Sequence, residues 1–246
     1  MRAVDSPAAR FDRLDALRGA AIAWMALFHF CFDLNYFNLL EPAQNFYRDP
    51  FWTLQRTAIV SLFVFVAGVS QALAIEAGQS AARFWRRWAQ IAGCALLVSI
   101  GSALMFPDSW ISFGILHGMA LMLVASRLLA PLRWPLLPLA ALAIALPHWV
   151  QHPVFDTRWT YWTGLVTRKP VTEDYAPVLP WLGVMLIGLA AGRWLLAHRR
   201  DVLAGALPAA LAPLAALGRW PLTFYMLHQP VLIGAILAWR RLSGAA

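Results

Sequence analysis

Apolar residues fall in long runs along the chain, separated by short polar or charged stretches. A helix that crosses roughly 30 Å of hydrocarbon needs about 20 such residues. Seven runs reach or approach this length, and the pattern predicts a membrane span in each: 17–37, 53–75, 88–106, 111–130, 132–150, 177–197 and 221–239. The predicted fold class is therefore all-α, a polytopic transmembrane helical bundle of about seven spans.

Two segments fit this pattern less well than the others. Prolines crowd the fifth run, at Pro131, Pro135, Pro138 and Pro147. Membrane helices tolerate proline kinks when neighbouring groups satisfy the freed carbonyls, so the fifth span is retained. The apolar run 204–217 is short and rich in Ala and Pro, which favours an interfacial or re-entrant segment over an eighth span.

Composition agrees with lipid as the main solvent. Hydrophobic residues make up 61% of the 246 residues and charged residues only 13%, with a mean hydropathy of +0.60. A soluble domain carries about 25% charged residues. The net charge of +8 comes from clusters at the ends of apolar runs, which is typical of topology determinants rather than of a nucleic-acid surface. Cys31 and Cys94 both lie in apolar runs, so no disulfide framework is indicated.

The basic residues predict a direction for the bundle. If the N-terminus is cytoplasmic, 13 of the 20 Lys and Arg residues fall on the inner side and 7 on the outer side. The positive-inside rule therefore predicts a cytoplasmic N-terminus and an outer C-terminus, with Arg240 and Arg241 as the discordant pair. Residues 1–14 contain no apolar core, so no cleavable signal peptide is predicted.

Two outer connections are long, 38–52 and 151–176. The second contains mixed charges and interleaved aromatic residues: Asp156, Arg158, Trp159, Tyr161, Trp162, Arg168, Lys169, Glu173, Asp174 and Tyr175. Such a loop would suit stacking on a sugar and hydrogen bonding to it. A solvated loop with an interfacial aromatic belt explains the same residues, and both interpretations stay open.

The first predicted helix holds the strongest group of polar residues within a span. Arg18 and His29 are eleven residues apart, which places them within about 20° of one helix face and about 16 Å apart along the axis. Asp33 follows one turn after His29 on nearly the same face. Ionisable residues in a span are costly and by default suggest function.

This stripe would suit an enzyme that takes a long anionic donor from the cytosol. Arg18 could pair with phosphate groups, and His29 could act as a general base or accept an acyl group transiently. Asp33 could fix the imidazole tautomer and stabilise its cation. The alternative is that Arg18 anchors the topology, His29 packs against a neighbouring helix, and Asp33 caps the outer end. Two further histidines, His117 and His228, also lie within spans and are either functional or satisfied core residues.

Four stretches of the chain carry a resemblance to a known family. RLDALRGAAIAWMALFHF resembles the first helix of acyltransferase-family-3 membrane enzymes, which carry Arg, ten residues and then His. FVFVAGVSQAL, DYAPVLPWLGVMLIGLAAG and LGRWPLTFYMLHQPVL are similar to bacterial proteins grouped with the catalytic domain of heparan-alpha-glucosaminide N-acetyltransferase. The resemblance covers about 10–235, which we take as one domain with tails at 1–9 and 236–246.

The resemblance implies a multi-pass enzyme of the bacterial cytoplasmic (inner) membrane. Such an enzyme moves an acetyl group from cytosolic acetyl-CoA, or another acyl-CoA, to a sugar or other envelope acceptor on the outer face. In the lysosomal enzyme the position of His29 is an asparagine and the active histidine lies in the first outer loop. Because 38–52 contains no histidine, the chemistry here would rest on His29, as in the wider acyltransferase group.

The candidate site residues follow from these two lines of argument. The catalytic candidates are His29 and Asp33; the donor-binding candidates are Arg18, Arg219 and His228; the acceptor-side candidates are His117, Asp174 and Tyr175. No bound cofactor, metal or nucleic acid is expected, the bilayer is the expected partner, and homo-oligomer formation stays open.

Two other classes of function use the same residues. A transporter or flippase could line its pathway with these intramembrane charges, although the inverted repeats that would favour it are missing from the sequence. A haem-binding electron-transfer protein could use His29 and His117 at one depth. A second matched pair would then be needed, and the inner half of the chain offers only His228.

Overall fold

The computed structural model describes residues 11–133 and 135–244, and within these ranges all regular structure is helical, as predicted. The helices are α1 (Asp12–Tyr36), α2 (Pro50–Glu76), α3 (Ala81–Met105), α4 (Ile115–Leu129), α5 (Leu136–Trp149), α6 (Val178–His198), α7 (Arg200–Ala204), α8 (Ala212–Gly218) and α9 (Pro221–Ser243). The predicted tail 1–9, and the topology residues Arg2 and Arg10, lie outside the described residues.

Six of the described helices, α1, α2, α3, α4 with its 3₁₀ extension to Leu132, α6 and α9, are long and apolar enough to cross a membrane. Several extend beyond the predicted spans into charged sequence. Helix α3 begins at Ala81 instead of 88, with the Ser80 hydroxyl accepting from the Arg83 amide over 3.4 Å. Helix α9 continues through Arg240 and Arg241 to Ser243. A helix satisfies its own backbone, so it can continue past the apolar run that hydropathy detects.

The fifth predicted span is a shorter helix than the pattern suggested. Helix α5 has 14 residues, or about 21 Å at 1.5 Å per residue, against about 30 Å of hydrocarbon. The prolines explain the difference. A separate 3₁₀ turn occupies Ala130–Leu132, and Pro135 stands at the N-cap of α5.

The chain forms two compact units, one of Met1–Phe63 with Asp201–Ala246 and the other of Val64–Arg200. In the first unit, α1 and α9 run parallel. Arg219, just before α9, donates to Asp12 at the start of α1, and the Arg240 guanidinium lies 5.9 Å from the ring centroid of Phe37, just after α1. The single predicted domain at 10–235 stays a prediction.

Helix α8 packs antiparallel against the first turns of α1. A Cβ on Gly19 would overlap the carbonyl oxygen of Leu214, and a Cβ on Gly218 would overlap that of Asp15, so both positions need glycine for the close approach. The Arg13 guanidinium adds hydrogen bonds to the carbonyls of Val202 and Ala206. The segment 204–217 therefore folds against the amino end of α1, in agreement with an interfacial or re-entrant segment and not with a further span.

In the second unit, α2, α5, α6 and the 3₁₀ turn after α4 share an apolar core. Its buried members are Ala72, Ala130, Leu136, Ala140, Leu186 and Leu189. Gly183, near the start of α6, lies against the Ala140 carbonyl of α5, while Arg193, near the end of α6, donates to the Ala130 carbonyl that precedes α5. Helices α5 and α6 are therefore antiparallel, so the short helix α5 runs alongside a helix that is long enough to span.

Candidate active site

One side of α1 carries all three residues of the predicted stripe, and each contacts the segment 218–229 of the same compact unit. Arg18 contacts Gly218, His29 contacts His228, and Asp33 contacts Gln229. The segment that follows α8 and enters α9 thus lies along the polar side of α1. The periodicity of a single helix had placed these three side chains on one face.

Arg18 is held at the α1–α8 crossing. Its Nη1 donates to Asp15 Oδ1 over 2.6 Å and to the Gly218 carbonyl over 2.9 Å. Both charged side chains are largely buried, with 20% of the Arg18 side chain and 10% of the Asp15 side chain exposed. The glycines at the crossing allow the Gly218 carbonyl to come this close, so backbone packing and the ion pair fix the same guanidinium.

His29 and His228 form a pair of neighbouring imidazoles. Their ring centroids are 5.1 Å apart, with an angle of 63° between the planes. His228 is 7% exposed, and its Nδ1 lies 2.6 Å from the carbonyl oxygen of Tyr225. Because a carbonyl only accepts, Nδ1 must carry the proton, and in the neutral ring the lone pair is then on Nε2.

Asp33 makes its hydrogen bond with an amide and not with a histidine. Gln229 Nε2 donates to Asp33 Oδ1 over 3.3 Å, and Asp33 is 4% exposed. The structure thus shows Asp33 bonded to Gln229, and its role in fixing the tautomer of His29 stays a prediction. The tautomer that the structure does fix is that of His228, through the Tyr225 carbonyl.

Three buried atoms of this cluster lack a hydrogen-bond partner among the described residues: Asp33 Oδ2, His228 Nε2 and Gln229 Oε1. Most buried polar atoms in folded proteins are satisfied, and leaving one unsatisfied costs about 1–3 kcal/mol. Asp33 and Gln229 contact each other and His228 precedes Gln229 in α9, so another molecule bound here could supply the missing hydrogen bonds.

The other proposed donor-binding residue, Arg219, lies at the amino end of α9. Its Nη2 donates to Asp12 Oδ1 over 3.0 Å, and the side chains are 40% and 49% exposed. An exposed ion pair of this kind contributes only about 0–1 kcal/mol, so an anionic ligand can compete for the arginine at little cost. Arg18 and Arg219 are thus both at the amino end of α1.

The acceptor-side candidates lie in the second compact unit, where His117 and Asp174 both bind the amino end of α4. The Gly114 amide donates to His117 Nδ1 over 3.2 Å, so the proton of the neutral ring is on Nε2, 3.2 Å from Ser99 Oγ. Asp174 Oδ2 accepts from the Ile115 amide over 2.7 Å. Both side chains therefore satisfy backbone groups that a helix start leaves open.

The third acceptor-side candidate, Tyr175, belongs to the connection 151–176. Its hydroxyl donates to the Tyr161 carbonyl over 2.8 Å, and the Tyr161 hydroxyl in turn contacts Ser112. Burial, reinforced by the charges of Tyr161 and Asp156, raises the pKa of Tyr175 well above its usual range. The tyrosine therefore stays protonated and ties the connection together.

The sequence interpretation did not identify Gln229, although a signal was present. Gln229 follows His228 directly and precedes Pro230 inside an apolar helix, so LHQP holds two consecutive polar side chains within a span. Burying an uncharged amide costs less than burying a charge, so Gln229 is a weaker indication of function in the sequence. Among the described residues, no group of three or more His, Cys, Asp or Glu side chains could hold a metal ion.

The residues of this cluster lie within a match to a known family. The family model for heparan-alpha-glucosaminide N-acetyltransferase, catalytic, matches residues 10–230, which is most of the chain and includes every candidate residue. No curated protein and no solved structure matches the chain. The chain therefore belongs to the heparan-alpha-glucosaminide N-acetyltransferase catalytic family, whose members are membrane-bound, acetyl-CoA-dependent acetyltransferases.

Proposed function

We propose that this protein transfers an acetyl group from cytosolic acetyl-CoA to a sugar or other envelope acceptor on the outer face of the membrane, with His29 as the catalytic imidazole. The observation that carries the proposal is the cluster of His29, Asp33, His228 and Gln229 with its three buried, unsatisfied atoms. It lies on the first and last helices, inside the residues that match the acetyltransferase family.

The donor would enter at the amino end of α1. Arg18 and Arg219 provide two cations there for the phosphate groups of acetyl-CoA, and Arg is well suited to phosphate. Arg18 and His29 are eleven residues apart, or about 16 Å along the helix. An extended donor bound by its phosphates could therefore place its thioester deep in the bundle, beside the histidine pair.

His29 would then act as a general base or accept the acetyl group transiently. In the second case, an imidazole nitrogen bonds to the acetyl carbon, the carbon–sulfur bond breaks, and the proton lost by the imidazole goes to the thiolate. The acceptor then takes the acetyl group and restores the imidazole. A positioned acid or base contributes about 10²–10⁴-fold to such a step.

The test is acetyl transfer from radiolabelled acetyl-CoA in vesicles, with glucosamine and a panel of amino and hydroxyl sugars as trial acceptors. His29→Ala should abolish labelling of the acceptor, because the reacting imidazole is gone. His148→Ala is the matched control, since His148 is exposed at the end of α5 and should tolerate the change. Full transfer by His29→Ala would rule out the catalytic role.

A further inference from the structure

The unsatisfied atoms of the buried cluster have one chemical property in common: all three accept hydrogen bonds. Gln229 uses its amide nitrogen on Asp33, so its remaining atom is the carbonyl oxygen Oε1. An ionised carboxylate offers only acceptors at Asp33 Oδ2. His228 donates through Nδ1 to the Tyr225 carbonyl, which leaves a lone pair on Nε2.

A ligand that satisfies these atoms must therefore bring hydrogen-bond donors. A thioester carbonyl and a phosphate carry acceptors, and neither matches this set. Amine and hydroxyl groups carry donors, so an acceptor molecule with several such groups does match. The cluster is thus complementary to the nucleophilic group of the acceptor rather than to the donor, which changes the role expected for His228.

We infer that His228 is a second catalytic histidine, whose Nε2 takes the proton from the amine or hydroxyl group of the acceptor while Asp33 Oδ2 and Gln229 Oε1 accept hydrogen bonds from other N–H or O–H groups of the acceptor. The inference rests on the proposed function in the form in which His29 carries the acetyl group, and adds to it the residues that bind and deprotonate the acceptor. It also replaces the donor-binding role expected for His228 from the sequence.

The step conserves atoms and protons. The acceptor nitrogen or oxygen bonds to the acetyl carbon carried by His29, and the bond from that carbon to His29 breaks. The acceptor's proton moves to His228 Nε2. It is then passed to the departing nitrogen of His29, so His228 returns to its neutral form with the proton still on Nδ1.

Two substitutions can separate the hydrogen bond of His228 to the Tyr225 carbonyl from its proposed role as a base. His228→Asn keeps a side-chain N–H near the position of Nδ1, so the bond to Tyr225 can persist while the Nε2 lone pair is lost. His228→Ala removes both and leaves space for a small base. Acetyl transfer would be measured for both purified variants with acetyl-CoA and the trial acceptors, without and with added imidazole, alongside thermal unfolding.

The inference predicts that His228→Asn unfolds near the wild-type temperature but loses about 100-fold or more of the transfer rate, as expected for a lost general base. Imidazole should restore part of the rate in His228→Ala and leave His148→Ala unchanged. Wild-type transfer by His228→Asn would overturn it, and so would loss without imidazole rescue, since His228 would then only hold the structure. If either of these results is found while His29→Ala is inactive, the role of His228 is contradicted and the proposed function stands. If wild-type protein transfers no acetyl group, the proposed function itself is contradicted.

Discussion

The imidazole rings of His29 and His228 lie 5.1 Å apart, centroid to centroid, although the two residues are 199 positions apart in the chain. Neither helix alone brings them together. Their contact depends on the parallel packing of α1 and α9, which Asp12 and Arg219 mark at one end and Phe37 and Arg240 at the other. The candidate site is thus a product of the packing of the first and last helices.

Arg18 is expected to affect donor binding more than the chemical step. Arg18→Ala should raise the KM for acetyl-CoA by about 10- to 100-fold with a smaller fall in kcat, because a hydrogen bond to a charged group is worth about 1.5–3 kcal/mol. Steady-state kinetics at varied acetyl-CoA would measure this, with Arg241→Ala on the exposed end of α9 as the control. An unchanged KM for Arg18→Ala would remove the donor-binding role.

The α1–α8 crossing should be sensitive to a single methyl group. Gly19→Ala places a Cβ against the backbone of Leu214 and Gly218, which must shift, so we expect destabilisation by about 1–3 kcal/mol. Gly234→Ala in α9 is the matched control, since nothing lies within 4 Å of its added Cβ and alanine favours a helix by about 1 kcal/mol. In thermal unfolding in detergent, Gly19→Ala should unfold at a lower temperature than Gly234→Ala. Equal stabilities of the two variants would contradict the close crossing of α1 and α8.

The parallel packing of α1 and α9 predicts an odd number of membrane crossings. If only the six long helices crossed the membrane, the first and last of them would be antiparallel. Parallel packing therefore requires a seventh crossing, which we assign to the short helix α5. In a variant with Cys31 and Cys94 replaced by Ala, Ser243→Cys should react with an impermeant thiol reagent from the outer side. Ser80→Cys, between α2 and α3, should react from the opposite side. Reaction of both cysteines from the same side would contradict seven crossings.

The connection 151–176 should lose order in acid. Hydrogen bonds from Thr167, chiefly from its hydroxyl, hold the pKa of Asp156 below its usual range. The stabilisation is therefore complete above the ordinary Asp pKa of about 3.9 and is lost as pH falls through the lower folded value. Proteolysis of the connection, with a protease active in acid, should accelerate only below that pH.

Asp156→Asn should give the accelerated cleavage already at neutral pH, because the amide has one accepting oxygen where the carboxylate uses two for the Thr167 amide and hydroxyl. Asp108→Asn, at an exposed position outside this connection, is the control. Equal cleavage of the two variants at neutral pH would show that Asp156 does not order the connection.

Much of the fold follows from local sequence properties. The lengths of the apolar runs predicted the spanning helices, and the helix period placed Arg18, His29 and Asp33 on one side of α1 because that property belongs to a single helix. The fifth apolar run, 132–150, predicted a longer helix than α5. Proline fixes φ and removes a donor, so the prolines before Leu136 shorten α5 in a way that hydropathy cannot measure.

The detailed geometry of the site could not be predicted in the same way. The tautomer of His228 depends on the Tyr225 carbonyl, and the partner of Asp33 depends on which residue of α9 lies beside it. Both are consequences of packing between helices far apart in the chain. Gln229 carries no charge, so burying it costs less than burying Asp33, and the sequence alone gave less reason to assign it a function.

The most direct test of the central claim is the cleavage of acetyl-CoA by the purified protein, followed as release of the free CoA thiol in the presence of the trial acceptors. Wild-type protein and His148→Ala should release thiol at the same rate, while His29→Ala, correctly folded by thermal unfolding, should release none above background. Thiol release by His29→Ala at the wild-type rate would contradict catalysis by His29. The absence of release by wild-type protein would contradict acetyl transfer and favour the transporter alternative.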